Sequence, residues 1–150
     1  MFWGSFSAAG PGLLFPVTGM MNDDRYIDVL RAKLLPHLRR EFPNNEGVFQ
    51  QDLAPCHTSK KVKKFMTGNG ITVLEWPGNS PDLNPIENLS AIIKQKLRRC
   101  DCTTRTKMIE AILRIWFHDA EFALTCQKLV DSMPNRVNLL LKAKGGHISY

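Results

Sequence analysis

Apolar residues first alternate along this chain and then recur at helical spacing, and the change of period marks out its elements. Residues 2–6 read as a short strand, Gly10-Pro11-Gly12 as a turn, and residues 13–17 as a second strand, so a hairpin is expected. From Asp23 or Asp24 to about Arg40, the residues Ile27, Leu30, Leu34 and Leu38 fall on one helical face. Asn22 or Asp23 can cap that helix, and Pro36 must kink or loosen its last turn. Residues 47–53 are expected to form a strand with Val48 and Phe49 buried, ending at Asp52. Thr58 or Ser59 then caps a helix to about Thr67 with Val62, Phe65 and Met66 facing inward, and the β-branched run 71–76 gives another strand.

Pro77 to Asn84 is a loop, in which Asp82 is a turn former. Asn84-Pro85 then reads as an N-cap with proline at the first helical position and Glu87 at the third. This helix runs to about Arg99 on Ile86, Leu89, Ile93 and Leu97. Thr103 or Thr104 opens the next, through Met108, Ile109, Ile112, Leu113 and Trp116, and two shorter helices follow at 121–132 and 134–144. The order β-β-α-β-α-β-α with a helical C-terminal tail describes an α/β chain, a single domain divided into residues 1–102 and a tail of residues 103–150.

Length and composition agree with one folded domain: 150 residues, 43% hydrophobic and 23% charged. No apolar run approaches the roughly 18–20 residues of a membrane helix, and the first residues carry no basic segment, so neither a membrane span nor a secretory signal is expected. The cysteines at 56, 100, 102 and 126 have no C-x₂-C spacing, and adding His57 leaves them irregular, which argues for reduced thiols over zinc or a disulfide scaffold. Charge changes the picture more. The net charge is +6, with −1 on residues 1–53 and +7 on residues 54–150. Lys60, Lys61, Lys63 and Lys64, with Lys94, Lys96, Arg98 and Arg99, concentrate it on two helices. Such a surface attracts phosphate backbones through counterion release, although each residue singly also fits a solvated helix face.

Two carboxylates stand in segments with more character than their surroundings. Phe49-Gln50-Gln51-Asp52-Leu53-Ala54-Pro55-Cys56-His57-Thr58 ends a strand on an acid. Trp76-Pro77-Gly78-Asn79-Ser80-Pro81-Asp82-Leu83-Asn84-Pro85-Ile86-Glu87-Asn88-Leu89 places another in the first turn of a helix, with 34 residues between Asp52 and Glu87. Both segments resemble the second and third acidic motifs of mariner-superfamily transposases, at the interval of one major branch. Trp3-Gly4-Ser5-Phe6-Ser7 through Gly12 is similar to that family's strand-turn-strand segment, and Met133-Pro134-Asn135-Arg136 with Lys144-Gly145-Gly146-His147 to its C-terminus.

The resemblance implies a ribonuclease-H-like mixed sheet flanked by helices, and DNA cleavage and strand transfer with Mg²⁺ or Mn²⁺. Asp52 and Glu87 would take the second and third metal-ligand and catalytic roles. Without it, Glu87 is a capping residue at a helix N-terminus and Asp52 a strand end reaching solvent. The family's first aspartate lies on a central strand upstream of the Trp3 segment, which here begins at Met1-Phe2, and Asp23 and Asp24 match no catalytic position. The expected fold is therefore truncated at its N-terminus, with hairpin and parallel pair forming separately and the 48–53 edge unpaired or filled by the shifted hairpin. Leu53 stands where the family has Asn, and Ser90 where it has Trp, the pattern of a decayed or trimmed copy. The expectation is a nuclear, DNA-binding transposon protein, inactive alone, with a second copy or a full-length transposase as partner. The competing readings are a non-catalytic DNA- or partner-binding remnant and a translated fragment with no molecular function.

Overall fold

The computed structural model describes residues 1–77 and 83–144. Along the chain run β1 (Phe2–Ser7), β2 (Gly10–Pro16), α1 (Asp23–Val29), a π-helical turn (Leu30–Leu34), α2 (Leu35–Glu41) and β3 (Val48–Phe49). Then come α3 (Pro55–Thr58), α4 (Lys60–Gly68), β4 (Thr72–Val73), α5 (Pro85–Leu97), α6 (Arg105–His118), α7 (Ala120–Asp131) and α8 (Met133–Lys142). They group into two compact units, Met1–Pro16 with Ser80–Tyr150, and Val17–Asn79. The tail helices thus belong with the hairpin and α5, where the sequence pattern divided the chain after residue 102.

In the first unit β1 and β2 pair antiparallel, from Phe2 opposite Pro16 to Ser7 opposite Gly10. The hairpin turns at Ala8-Ala9, two residues before the expected Gly10-Pro11-Gly12, which lies inside β2 instead. Pro11 cannot donate to the ladder, and the register slips beside it, so that Gly12 and Leu13 both stand opposite Ser5. The bulge is filled locally: the Ser5 hydroxyl accepts from the Leu13 N–H at 3.2 Å. The Gly12 carbonyl accepts from the Trp116 indole at 3.1 Å, tying α6 to β2. Gly4 lets the helix approach, since a Cβ there would meet Leu14 Cδ1 at 2.8 Å and Trp116 at 3.5 Å.

Helices α5, α6 and α7 close over this hairpin. Leu89, Ile115, Trp116, Phe122 and Cys126 form the buried centre, with Phe6, Leu14, Ile86, Ile93 and Leu129 packed around it. Thr104 caps α6 and Asp119 caps α7 through bonds to the Lys107 and Phe122 N–H groups. Met108, expected in the core stripe, is exposed.

In the second unit the helix expected to about Arg40 is interrupted. Asn22 caps α1 through the Arg25 N–H at 2.9 Å. The next turn widens to a π-helix before Pro36, with the Leu35 N–H bonded to the Leu30 carbonyl. Pro36 has no N–H for the carbonyl four residues back, and the widened turn absorbs that loss while keeping Leu30, Leu34 and Leu35 buried. Ser59 caps α4 through the Val62 N–H, and α4 buries Val62 and Met66. It ends on Gly70 at φ 68°, with the Ile71 N–H bonded to the Met66 carbonyl and the Gly70 N–H to that of Thr67, a turn that suits glycine.

β3 and β4 pair in parallel, Val48 with Thr72 and Phe49 with Val73, and the Leu74 N–H extends the ladder to the Phe49 carbonyl at 2.9 Å. The strands expected over 47–53 and 71–76 therefore shrink to two residues each. Val48, expected to be buried, is 58% exposed. The reason is the edge: the described strands form two separate two-stranded sheets, so β3 has a neighbour on one side only. Among the described strands the hairpin does not pair with β3, which agrees with the first of the two outcomes expected there.

Replacing Trp116 by Phe keeps the ring but removes the indole N–H. The variant is expected to lose about 0.5–1.5 kcal/mol, the net value of one such bond, measured as a lower denaturation midpoint. An unchanged midpoint would show that the bond to Gly12 does not hold α6 on the hairpin.

Candidate active site

Asp52 lies just past β3, on the segment that leads into α3, and its side chain is 53% exposed. Two donors hold one of its oxygens. Oδ1 accepts from the Ala54 N–H at 3.0 Å and from His57 Nδ1 at 2.6 Å. The His57 ring lies against Tyr26, with ring centroids 4.2 Å apart. Tyr26 donates its hydroxyl to Gln51 Oε1 at 2.5 Å, and Gln51 Nε2 donates to the His57 carbonyl at 3.3 Å. Burial, then the charges of Cys56 and Asp52, push the Tyr26 phenol far above its usual range, so it remains a donor. Beside this network a cleft of about 530 Å³ is lined by Gln51, Leu53, His57, Lys63, Met66 and Trp76 among others.

Glu87 occupies the first turn of α5, with Pro85 at the first helical position as expected. Its side chain is exposed and has no hydrogen-bond or ion-pair partner among the described residues. Asn84 makes no side-chain cap bond to the helix, so the capping role expected of the Asn84–Glu87 pair is not the arrangement found. The neighbouring Asn88 is held instead: its Oδ1 accepts from Arg136 on α8 at 2.9 Å. Arg136 is fully buried, and its Nε also bonds the Ser132 hydroxyl at 2.9 Å. Thus the last helix fixes the turn that carries Glu87. Asp52 and Glu87 belong to different compact units, and Asp82 lies outside the described residues.

Exposed carboxylate oxygens on anchored backbone are the donor type that Mg²⁺ or Mn²⁺ takes. Among the described residues no group of three or more His, Cys, Asp or Glu side chains stands together as a metal cage. By donor type, Asp52 and Glu87 each suit such an ion. The four cysteines are free thiols.

The basic residues divide into two kinds. Lys61 is bonded to Asp24. Lys96 is bonded to Asp119 at 2.7 Å and Glu121 at 2.9 Å, and this hydrogen bond holds the Asp119 carboxyl below its usual range. Those two charges are compensated within the fold. Lys60, Lys63, Lys64, Lys94, Arg98 and Arg99 make no ion pair among the described residues, and all are exposed. Sequence reasoning did not single out Tyr26, Gln51, His57, Asn88 or Arg136. The five-residue step from Asp52 to His57 across a proline was the one local signal; the others depend on tertiary contacts.

Residues 3–109 match the family model described as DDE superfamily endonuclease. The chain belongs to that family. Over 150 residues it is 31% identical to the Tcb2 transposase of Caenorhabditis briggsae, covering all of this chain and 54% of the relative. It is 32% identical over 152 residues to the Tc3 transposase of Caenorhabditis elegans, covering all of this chain and 45% of that protein. The chain thus spans about half the length of these curated relatives. Its fold is that of the Mos1 transposase catalytic domain, solved with Raltegravir and Mg, at a TM-score of 0.80, 23% identity, and coverage of 95% of this chain and 73% of that one. The Mos1 paired-end complex with the left transposon end gives a TM-score of 0.82 at 21% identity, over 96% and 43%. The ribonuclease-H-like α/β class read from the sequence is therefore the fold of this Tc1/mariner-type endonuclease domain, and both carboxylates fall within the matched residues.

Replacing Arg136 by Met fills similar space but leaves the Asn88 oxygen without this donor. Loss of this charge-assisted hydrogen bond is expected to cost about 1.5–3 kcal/mol, read as a lower thermal or denaturant midpoint. Wild-type stability in Arg136→Met would show that the buried guanidinium is not what fixes the start of α5.

Proposed function

We propose that these residues are the part of a transposase catalytic domain that supplies the second and third carboxylates, Asp52 and Glu87, to divalent metal ions. The observation that carries this reading is the Asp52 carboxylate, exposed yet anchored through a single oxygen, within the family-matched segment. Bound Mg²⁺ or Mn²⁺ would stabilise charge on the attacking and leaving oxygens of a phosphodiester. The chain's own contribution is to fix its ligands: Asp52 through Ala54 and His57, and the turn of Glu87 through Asn88 and Arg136. Relatives solved with Mg and with a transposon end support metal and DNA as what the family handles.

Taken alone, the 150 residues bind DNA without cutting it, because two carboxylates hold less of the metal site than the family's three. This activity belongs in the nucleus, where the DNA lies, and a second copy or a full-length transposase is the protein partner. Purified chain is expected to leave supercoiled DNA intact with either metal; nicking that disappears in Asp52→Ala would overturn this part of the reading.

DNA binding should be weak and indifferent to sequence, and should fall steeply with salt, by a slope of about 0.9 for each phosphate neutralised. Lys60, Lys63 and Lys64 are the α4 residues whose charge is free to act. Reversing them should weaken binding to all sequences alike, while Lys96→Met leaves affinity unchanged and lowers stability. Salt-insensitive binding, or equal loss from Lys96→Met, would count against this division of the basic residues.

A further inference from the structure

The anchoring of Asp52 is one-sided. Both donors that reach its carboxylate, the Ala54 N–H and His57 Nδ1, reach Oδ1. Oδ2 accepts nothing among the described residues, and the side chain is half exposed. A carboxylate oxygen has two lone-pair directions, so two short bonds leave Oδ1 little capacity for a cation. An ionised carboxylate can only accept, which places a proton on His57 Nδ1 in this contact.

His57 is itself held, at its ring and at its backbone. Its ring packs, tilted by 32°, against that of Tyr26, which is 1% exposed. Its main-chain carbonyl accepts from Gln51, whose other amide atom accepts from the Tyr26 hydroxyl. Gln51 is the residue immediately before Asp52, so the bonds close a ring: Asp52 to His57, His57 to Gln51, Gln51 to Asp52 along the chain, with Tyr26 bridging. A loop outside the ladder would otherwise leave this carboxylate free to rotate. Partners that fix a ligating group are known to set metal affinity by about 10–100-fold.

We propose that His57 is a positioning residue that occupies Oδ1 of Asp52 and so commits the carboxylate to bind a divalent cation through Oδ2 alone, with Tyr26 and Gln51 fixing the imidazole. The proposal rests on Asp52 being a metal ligand, and the test separates the two. Mn²⁺ affinity is measured on the full chain by the loss of the free-ion paramagnetic resonance signal. Four proteins are compared: the wild type, Asp52→Ala, His57→Phe and His57→Asn. Phenylalanine keeps a ring against Tyr26 but has no donor, and asparagine restores an N–H at the place of Nδ1.

The expected result is binding abolished in Asp52→Ala, weakened about 10–100-fold in His57→Phe, and largely recovered in His57→Asn, with near-ultraviolet dichroism unchanged. No Mn²⁺ binding by the wild type, or undiminished binding in Asp52→Ala, removes the metal reading and this proposal with it. Loss in Asp52→Ala alone, with His57→Phe binding like the wild type, leaves the metal reading standing and overturns the role of His57. Equal weakening in the Phe and Asn variants also overturns it, because a histidine binding the ion directly would behave so. A second measurement needs no variant: the ¹H–¹⁵N resonance of His57 Nδ1 should persist at saturating Mg²⁺. Its loss would mean that the ion takes Oδ1, contrary to the proposal.

Discussion

A strand with a single neighbour leaves one row of backbone N–H and C=O groups without a ladder partner, and every strand described in this chain has a single neighbour. The two units meet that constraint differently. In the first, the hairpin is long enough to be covered. Its bulge puts the Gly12 carbonyl where the Trp116 indole can reach it, and α5, α6 and α7 bury one face around Leu89, Trp116 and Phe122. In the second, β3 pairs over two residues and Val48 remains exposed. Beyond Phe49 the chain has no ladder to fix it, and side chains take over: Gln51 and Asp52 are held by Tyr26, His57 and the Ala54 N–H. The candidate site is therefore built from side-chain hydrogen bonds because the sheet is too short to build it from backbone.

The same economy appears among the charges. In the sequence the basic excess of residues 54–150 gathers on two helices, but a lysine beside an acid in space is a structural element. Lys96 joins α5 to the start of α7 through Asp119, which also caps that helix, so its charge is committed twice over. Lys61 joins α4 to the start of α1. What is left for a phosphate backbone is narrower than the sequence implied. It includes Lys63, which lines the cleft that His57 also borders.

Elements with strong local signals were legible. Asn22, Ser59 and Thr104 each cap the helix that their sequence context marked, and the helical stripes of α4, α5 and α6 bury Val62, Leu89 and Ile112. Asp52 and Glu87 stand out in the sequence through extended motifs, not as single acids. What could not be read depends on partners distant in sequence. Strand length at β3 and β4 is set by how many neighbours each strand has, which periodicity cannot report. The turn at Ala8-Ala9 displaced the glycine-proline signal because Pro11 and Gly12 were used for the bulge instead. Arg136 enters the sequence reading only within the segment that resembles the family's C-terminus, and the fold shows it buried against Asn88, 48 residues away.

That contact bears on where the functional domain ends. The family model stops at residue 109, part-way along α6, whereas the likeness to the Mos1 catalytic domain extends over 95% of the chain. The longer span is the physically coherent one. Ile115, Trp116, Phe122 and Cys126 all lie after residue 109, and together with Leu89 they make up the buried centre of the first unit. A chain cut at residue 109 would leave Leu89 and the hairpin's inner face without cover. An arginine with no exposed surface is costly to desolvate, and its hydrogen bonds to Ser132 and Asn88 hold it in a single place. Its bond to Asn88 makes α8 part of what holds the first turn of the helix that carries Glu87. Without the tail, the helix that carries Glu87 would lose both its packing and the anchor of its first turn.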